Sequence, residues 1–291
     1  MCHPDLLHDV HRRIGGTRRL DRRRASGLML GATMAGPGLA HAARPAVDVA
    51  TQTGDDRREV SFNAVIDLTH PLSPDFPVYP GYTPFSASVT ATLDDPGTRS
   101  RVVSFEEHTG THVDAPAHFI ADGVDVASIP PTNLVASLVV IDLRDRASAD
   151  EDTTVQVDDL LAWEAAYGAI REGAFVAMYS GWDERVPSAA GYLNADAAGV
   201  LHFPAWSPEA AAYLVDERGV VGLGVDTISL DNPTSPYFES HRVLLGAGGY
   251  AVENLANLGA APASGATVVV GAPAFAGGSG GAARVLALAR T

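Results

Sequence analysis

Between His108 and His118 the chain reads His-Thr-Gly-Thr-His-Val-Asp-Ala-Pro-Ala-His, and four of these side chains can bind a metal or move a proton. Read as a strand, the segment puts His108, Gly110, His112, Asp114, Pro116 and His118 on one face, because side chains alternate along extended backbone. Gly110, Pro116 and the β-branched Thr109, Thr111 and Val113 oppose a helix. Same-face neighbours on a strand lie about 6.5–7 Å apart, so two imidazoles and a carboxylate converge on one ion or a close pair. Gly110 leaves space between the imidazoles, and Pro116 is expected to end the strand and turn His118 out of line. A lone His is usually a hydrogen-bonded surface or core residue. Such groups clustered in phase favour a metal site over a polar strand face.

The stretch HTGTHVDAPAHF resembles the signature of the cyclase family of metal-dependent hydrolases, to which kynurenine formamidase (arylformamidase) and isatin hydrolase belong. The resemblance implies that His108, His112 and Asp114 are metal ligands and His118 the catalytic acid/base. Residues 67–81 are similar to the family's DLTxPLSxxxPVxPG segment, in which an aromatic residue lines the substrate pocket. Tyr79 and Phe76 are the candidates here, and Tyr79 stands where kynurenine formamidases usually carry Trp. Residues 224–231 resemble the family's GxDTxSxD stretch, from which Asp226 and Ser229 are expected to support the site from behind the ligands. His241, ahead of a Leu-Leu pair, and Glu253, in an Glu-Asn-Leu triplet, match the positions that complete the family's metal site. The resemblance covers residues 61–291. It implies a swivelling β/β/α domain, one or two divalent ions, and a homo-oligomer, often a dimer, with pockets near the interface.

The elements that must position these residues can be read from local patterns. Phe62–Leu68, Leu134–Leu143, Ala174–Tyr179, Val220–Val225, Thr267–Ala272 and Arg284–Ala289 read as strands, several of them continuous apolar runs of the kind buried on both faces. Phe85–Leu93 and Arg101–Phe105 read as a hairpin around Asp94-Asp95-Pro96-Gly97. Residues 157–170 have helical spacing. Ser207-Pro208-Glu209 opens a second helix with an N-cap, a first-turn Pro and an acid against the dipole, and Arg218-Gly219 closes it. A glycine-rich segment, 277–281, joins the last two strands. Many short strands and few helices predict an α/β fold with mixed and antiparallel sheet.

Composition narrows the partners. The chain has 291 residues, 46% of them hydrophobic, enough for one large domain or two small ones. Its net charge is −15 and all 20 basic residues are Arg, a surface that repels nucleic acid and anionic membranes. Cys2 is the only cysteine, so a disulfide within the chain and a thiolate metal site are both excluded. His, Asp and Glu must then hold any metal, which suits Zn, Mn or similar ions.

Residues 1–43 differ from the rest. They hold seven Arg and three Asp, an apolar run from Ala25 to Leu39, and an Ala40-His41-Ala42 cleavage pattern. This reads as a signal peptide, of twin-arginine type from Arg22-Arg23-Arg24, and so predicts an exported protein, periplasmic or extracellular. The remainder would carry 13 Arg against 32 acidic residues, a net charge of −19. Residues 44–60 read as a linker and 61–291 as the enzyme domain.

A divalent ion in such a site lowers the pKa of a water it holds towards neutrality and polarises a carbonyl. A His that titrates near neutral pH then moves the proton an amide nitrogen needs to leave. With no Cys beyond residue 43, a covalent acyl-enzyme on a thiolate is disfavoured. The leading expectation is a metal-dependent hydrolase of an aryl formamide or a small cyclic amide such as isatin. Ring closure or dehydration of a secondary metabolite is the alternative enzyme reading, and an exported, non-catalytic metal- or solute-binding protein the alternative from another class.

Overall fold

The computed structural model describes residues 60–290; the expected signal peptide (1–43) and residues 44–59 of the expected linker lie outside the described residues. In chain order the strands are β1 (Ala64–Asp67), β2 (Ser86–Thr92), β3 (Asp95–Ser104), β4 (His112–Asp114), β5 (Val135–Asp142), β6 (Thr154–Val155), β7 (Phe175–Tyr179), β8 (Ala205–Trp206), β9 (Gly222–Val225), β10 (Tyr250–Glu253), β11 (Ala266–Gly271), β12 (Gly280–Ala282) and β13 (Arg284–Ala289). The helices are α1 (Arg144–Ala149), α2 (Val157–Tyr167), α3 (Ala189–Leu193), α4 (Pro208–Arg218) and α5 (Glu239–Gly246).

A nine-stranded mixed sheet, ordered β1-β13-β11-β5-β7-β9-β10-β4-β12, carries the fold. Its centre, β5-β7-β9-β10, is parallel, and both flanks are antiparallel. This is the α/β fold with mixed and antiparallel sheet that the sequence predicts. In β5 the alternation is explicit. Val139 and Ile141 join a core with Leu160, Leu214 and Leu244 from the helices, whereas Leu138 and Val140 join the opposite core with Val268 and Val285. Both faces are covered, which is why these strands read as unbroken apolar runs. Helix α4 has the expected ends: Ser207 Oγ accepts from the Ala210 N–H, and Gly219 closes the helix at φ +60°.

Three local expectations are corrected. The central motif is not one strand. Only His112–Asp114 is extended; His108 sits in a turn and Pro116–His118 form a 3-10 turn. Gly110 at φ +71° breaks the strand before His112, which the spacing does not predict, and Pro116 ends it after Asp114, as expected. The hairpin turn is also tighter than expected: β3 begins at Asp95, and the pairing of β2 with β3 shifts register around Ala91 and Thr92. Finally, the glycine-rich segment is not only a connection, since Gly280–Ala282 form β12 against β4.

No helix among the described residues is long and apolar enough to cross a membrane.

Candidate metal centre and its cleft

Register explains how ligands far apart in sequence meet. β4 lies between β10 and β12, with Glu253 opposite His112 on one side and Gly280 opposite Asp114 on the other. Helix α5 brings His241 to the same point. Asp231 ties it there: its carboxylate accepts the Ser240 N–H at 2.6 Å, the His241 N–H at 3.1 Å, and the His241 Nδ1 proton through a very short hydrogen bond. One side chain thus caps the helix and orients the imidazole.

The imidazoles converge on Asp114. His108 Nδ1 lies 2.5 Å and His112 Nε2 3.2 Å from Asp114 Oδ1, and His241 Nε2 lies 3.3 Å from Oδ2. Glu253 adds Oε2 at 3.4 Å from His112 Nε2 and Oε1 at 3.0 Å from His241 Nε2. His108, Asp114 and His118 form one group of potential ligands, and His112, Asp114 and Glu253 a second, so Asp114 belongs to both.

Each inward-facing nitrogen is selected by an outward hydrogen bond. His112 Nδ1 lies 2.7 Å from Gly110 O, which can only accept, so Nδ1 carries a proton and Nε2 faces the carboxylates. The Asp231 carboxylate does the same for His241 Nδ1. His112 Nε2 is buried without a hydrogen-bond partner, an orphaned ligand atom between two acids. Imidazole and carboxylate donors around such an atom fit a divalent ion.

Electrostatics agree with that fit. Burial disfavours the Asp114 carboxylate, yet His112 and the hydrogen bonds from His108, His112 and His241 outweigh burial and hold its pKa well below the usual range. Burial likewise opposes the His112 imidazolium, but Asp114 and Glu253 raise its pKa to about 9. His241 is raised well above its ordinary value, its hydrogen bonds to Asp114, Asp231 and Glu253 overriding burial. His118 goes the other way: burial lowers it to about 4, so at neutral pH it is an uncharged base. It stacks on His108 with ring centroids 3.8 Å apart.

His108, His118, His241 and Glu253 line a cleft of about 220 Å³, whose walls include Tyr79, Tyr82, Phe119 and Phe238. Phe238 sits at φ +51°, a left-handed conformation costly for a bulky residue, at the start of α5.

The sequence profile described as "Putative cyclase" matches residues 66–232. The chain belongs to the cyclase family. Among curated cyclase-family relatives, the isatin hydrolase of Roseibium aggregatum is 36% identical over 191 residues, 62% of this chain and 72% of that protein. The kynurenine formamidase of Paracidovorax citrulli is 30% identical over 193 residues, 65% of this chain and 80% of that protein. Isatin hydrolase A from Ralstonia solanacearum superposes with a TM-score of 0.74 at 39% identity, over 78% of this chain and 92% of that one. An isatin hydrolase bound to the product analogue thioisatinate gives 0.75 at 31% identity, over 78% of this chain and 92% of that one. The Ralstonia and thioisatinate-bound structures share this chain's curled mixed sheet.

In this cyclase-family chain the structure brings His108, His112, Asp114, His118, His241 and Glu253 together, and places Tyr79 and Ser229 on the cleft. Phe76 is corrected: it is buried under the proline-rich loop, against His70 and Tyr192, and does not line the cleft. Asp226 is corrected too. Its carboxylate accepts from the Ser180 and Trp182 N–H groups and from Ser180 Oγ, and touches no ligand. Its link to the centre is indirect: Tyr192 Oη reaches both Asp226 O and Asn254 Oδ1, and Asn254 Nδ2 donates to Gly110 O. Sequence reading passed over Asp231, although it closes the same GxDTxSxD stretch as Asp226. It also passed over Tyr82, Phe119, Phe238, Asn254, Glu107 and Ser279. Of these, Phe119, as the last residue of HTGTHVDAPAHF, and Asn254, in the Glu-Asn-Leu triplet, carry a visible signal.

Proposed function

We propose that this cyclase-family protein is a metal-dependent hydrolase that opens the C–N bond of an aryl formamide or a small cyclic amide such as isatin. The observation that carries this reading is the orphaned His112 Nε2, facing the carboxylates of Asp114 and of Glu253, the second of which lines an aromatic-walled cleft. His108, His112, Asp114, His241 and Glu253 would hold the ion, Zn or Mn, either alone or as one of a pair sharing Asp114. When bound, such an ion polarises the substrate carbonyl and acidifies a water.

The chain's own residues supply the rest. The walls from Tyr79, Tyr82, Phe119 and Phe238 suit a flat aryl group and exclude bulk water. His118, neutral at working pH, takes the proton from the attacking water. As the C–N bond breaks, the same imidazole hands that proton to the leaving nitrogen, so it ends the cycle neutral. Asp231 keeps His241 from rotating, and Gly110 O does so for His112. Isatin and kynurenine formamides, the substrates named by the relatives, both present an aryl ring beside an amide carbonyl.

The test is metal analysis of protein purified without chelator, then assay against formanilide, isatin and a cyclic imide. Turnover that survives exhaustive chelation overturns the reading. Metal binding without turnover on the panel favours the non-catalytic binding protein instead.

A homodimer is part of the proposal. The β2–β3 hairpin exposes Val89 (62%), Leu93 (70%) and Val102 (60%), and a lone hairpin is marginal in water. Light scattering that finds only monomer at micromolar concentration counts against it. Export rests on residues 1–43 alone and is checked by N-terminal sequencing of protein from the periplasm or medium.

A further inference from the structure

The glycine-rich segment runs directly beside His108, and Ser279 is the side chain it presents there. Ser279 Oγ and the Ser279 N–H both lie 2.8 Å from Glu107 Oε2. A carboxylate oxygen only accepts, so the single hydroxyl proton of Ser279 is spent on Glu107. What Ser279 Oγ offers to His108 Nε2, 2.8 Å away, is a lone pair. Nε2 therefore carries a proton, and Nδ1 is the nitrogen that meets Asp114 Oδ1 at 2.5 Å, where a cation would replace the proton of that hydrogen bond.

We propose that Glu107 and Ser279 are positioning residues of the metal centre, fixing the tautomer and ring orientation of His108 so that its Nδ1 is free for a cation. The proposal rests on the ligand set given above. It also gives the glycines a purpose. A Cβ at Gly280 would lie 2.6 Å from His108 Cε1 and would strike Val113 O, and a Cβ at Gly278 would lie 3.0 Å from Glu107 Oε1. The backbone must come this close for Ser279 to reach both partners. It is pinned there by the bond from Ala115 N to Ser279 O at 2.9 Å and from Val126 N to Gly278 O at 2.9 Å. With Gly110 O behind His112 and Asp231 behind His241, each of these three imidazoles has its own outward acceptor, and on His108 that acceptor is a hydroxyl whose polarity is set by an acid.

The experiment uses the full chain, with Mn²⁺ titrated calorimetrically and melting followed in parallel. Ser279→Ala is expected to weaken Mn²⁺ binding about 10- to 100-fold, with the melting temperature of the metal-free protein little changed. Glu107→Ala is expected to weaken it about tenfold, and Glu107→Gln, which keeps an accepting oxygen, to restore it to within about threefold of wild type. In ¹⁵N-histidine spectra with Zn²⁺ bound, the His108 Nε2 proton should be protected in the wild type and lose protection in Ser279→Ala. Wild-type Mn²⁺ affinity in Ser279→Ala, or Glu107→Gln as weak as Glu107→Ala, overturns the positioning role while leaving the metal centre intact. A wild-type chain that binds neither Mn²⁺ nor Zn²⁺ overturns the ligand set, and the positioning role with it.

Discussion

Asp114 and Asp226 are both fully buried carboxylates at strand ends, and they are held in opposite ways. Asp114 ends β4 among His108, His112 and His241, which keep it ionised far below the usual range. Asp226 follows β9 among neutral donors, Ser180 and the Trp182 N–H; burial, with Asp183 adding to it, pushes its pKa up to about 7. Backbone and hydroxyl donors satisfy lone pairs without neutralising a charge, whereas imidazoles do both. Burial of an acid therefore does not mark a metal site; the nitrogens around it do.

The sharpest way to break this contrast is substitution of the two acids. Asp114→Asn is expected to abolish metal binding and lower turnover by about 10³-fold or more. Asp226→Asn should keep full metal content, as measured by elemental analysis, and lose little activity. Next in size is His118→Ala, expected to keep its metal and lose about 10²–10⁴-fold in kcat, against His112→Ala, which should lose the metal itself.

The pH dependence of metal binding follows. His112, at about 9, and His241, also raised, both carry protons at pH 7 in the metal-free chain, and an ion must displace them. Affinity should therefore rise with pH, about tenfold per unit for each proton released, between pH 6 and 8 in calorimetry with Zn²⁺. A flat profile would place the ion elsewhere. A smaller effect is expected in the cleft wall: Phe238→Leu should raise KM for an aryl amide about fivefold, while Phe76→Leu leaves KM unchanged.

The least effect concerns Asp226 and stability. Burial lifts its folded value to about 7, above the ordinary carboxylate range, so ionisation opposes folding. Its cost is absent at acid pH, grows as pH rises from about 4 to 7, and is constant above. The melting temperature of Asp226→Asn relative to wild type should climb by a few degrees over that range. An unchanged difference would mean that the Ser180 and Trp182 donors stabilise the ionised acid after all.

How much of this was legible in the chain depends on range. The ends of α4 were readable because Ser207, Pro208 and Gly219 act on their immediate neighbours. His112 and Asp114 were readable because both lie on one extended stretch. The strand is shorter than the pattern suggests at its start, because Gly110 reads as space between two imidazoles and in fact ends the extended stretch, whereas Pro116 ends it on the other side as expected. Phe76 was misplaced because a proline-rich loop with two aromatics does not say which ring faces inward. Asp231, Ser279 and Asn254 act through hydrogen bonds to partners ten, 171 and 144 residues away, and no local pattern encodes such a partner.

The register of β4 has a consequence for biosynthesis. This short strand is clasped by β10 on one edge and β12 on the other, so its His112 and Asp114 wait for residues 250–253 and 280–282. A ribosome-bound chain that has made only the histidine-rich motif owns the first ligands but not the clasp. Capture of the ion by the clasped ligands thus waits until residues 280–282 have been made.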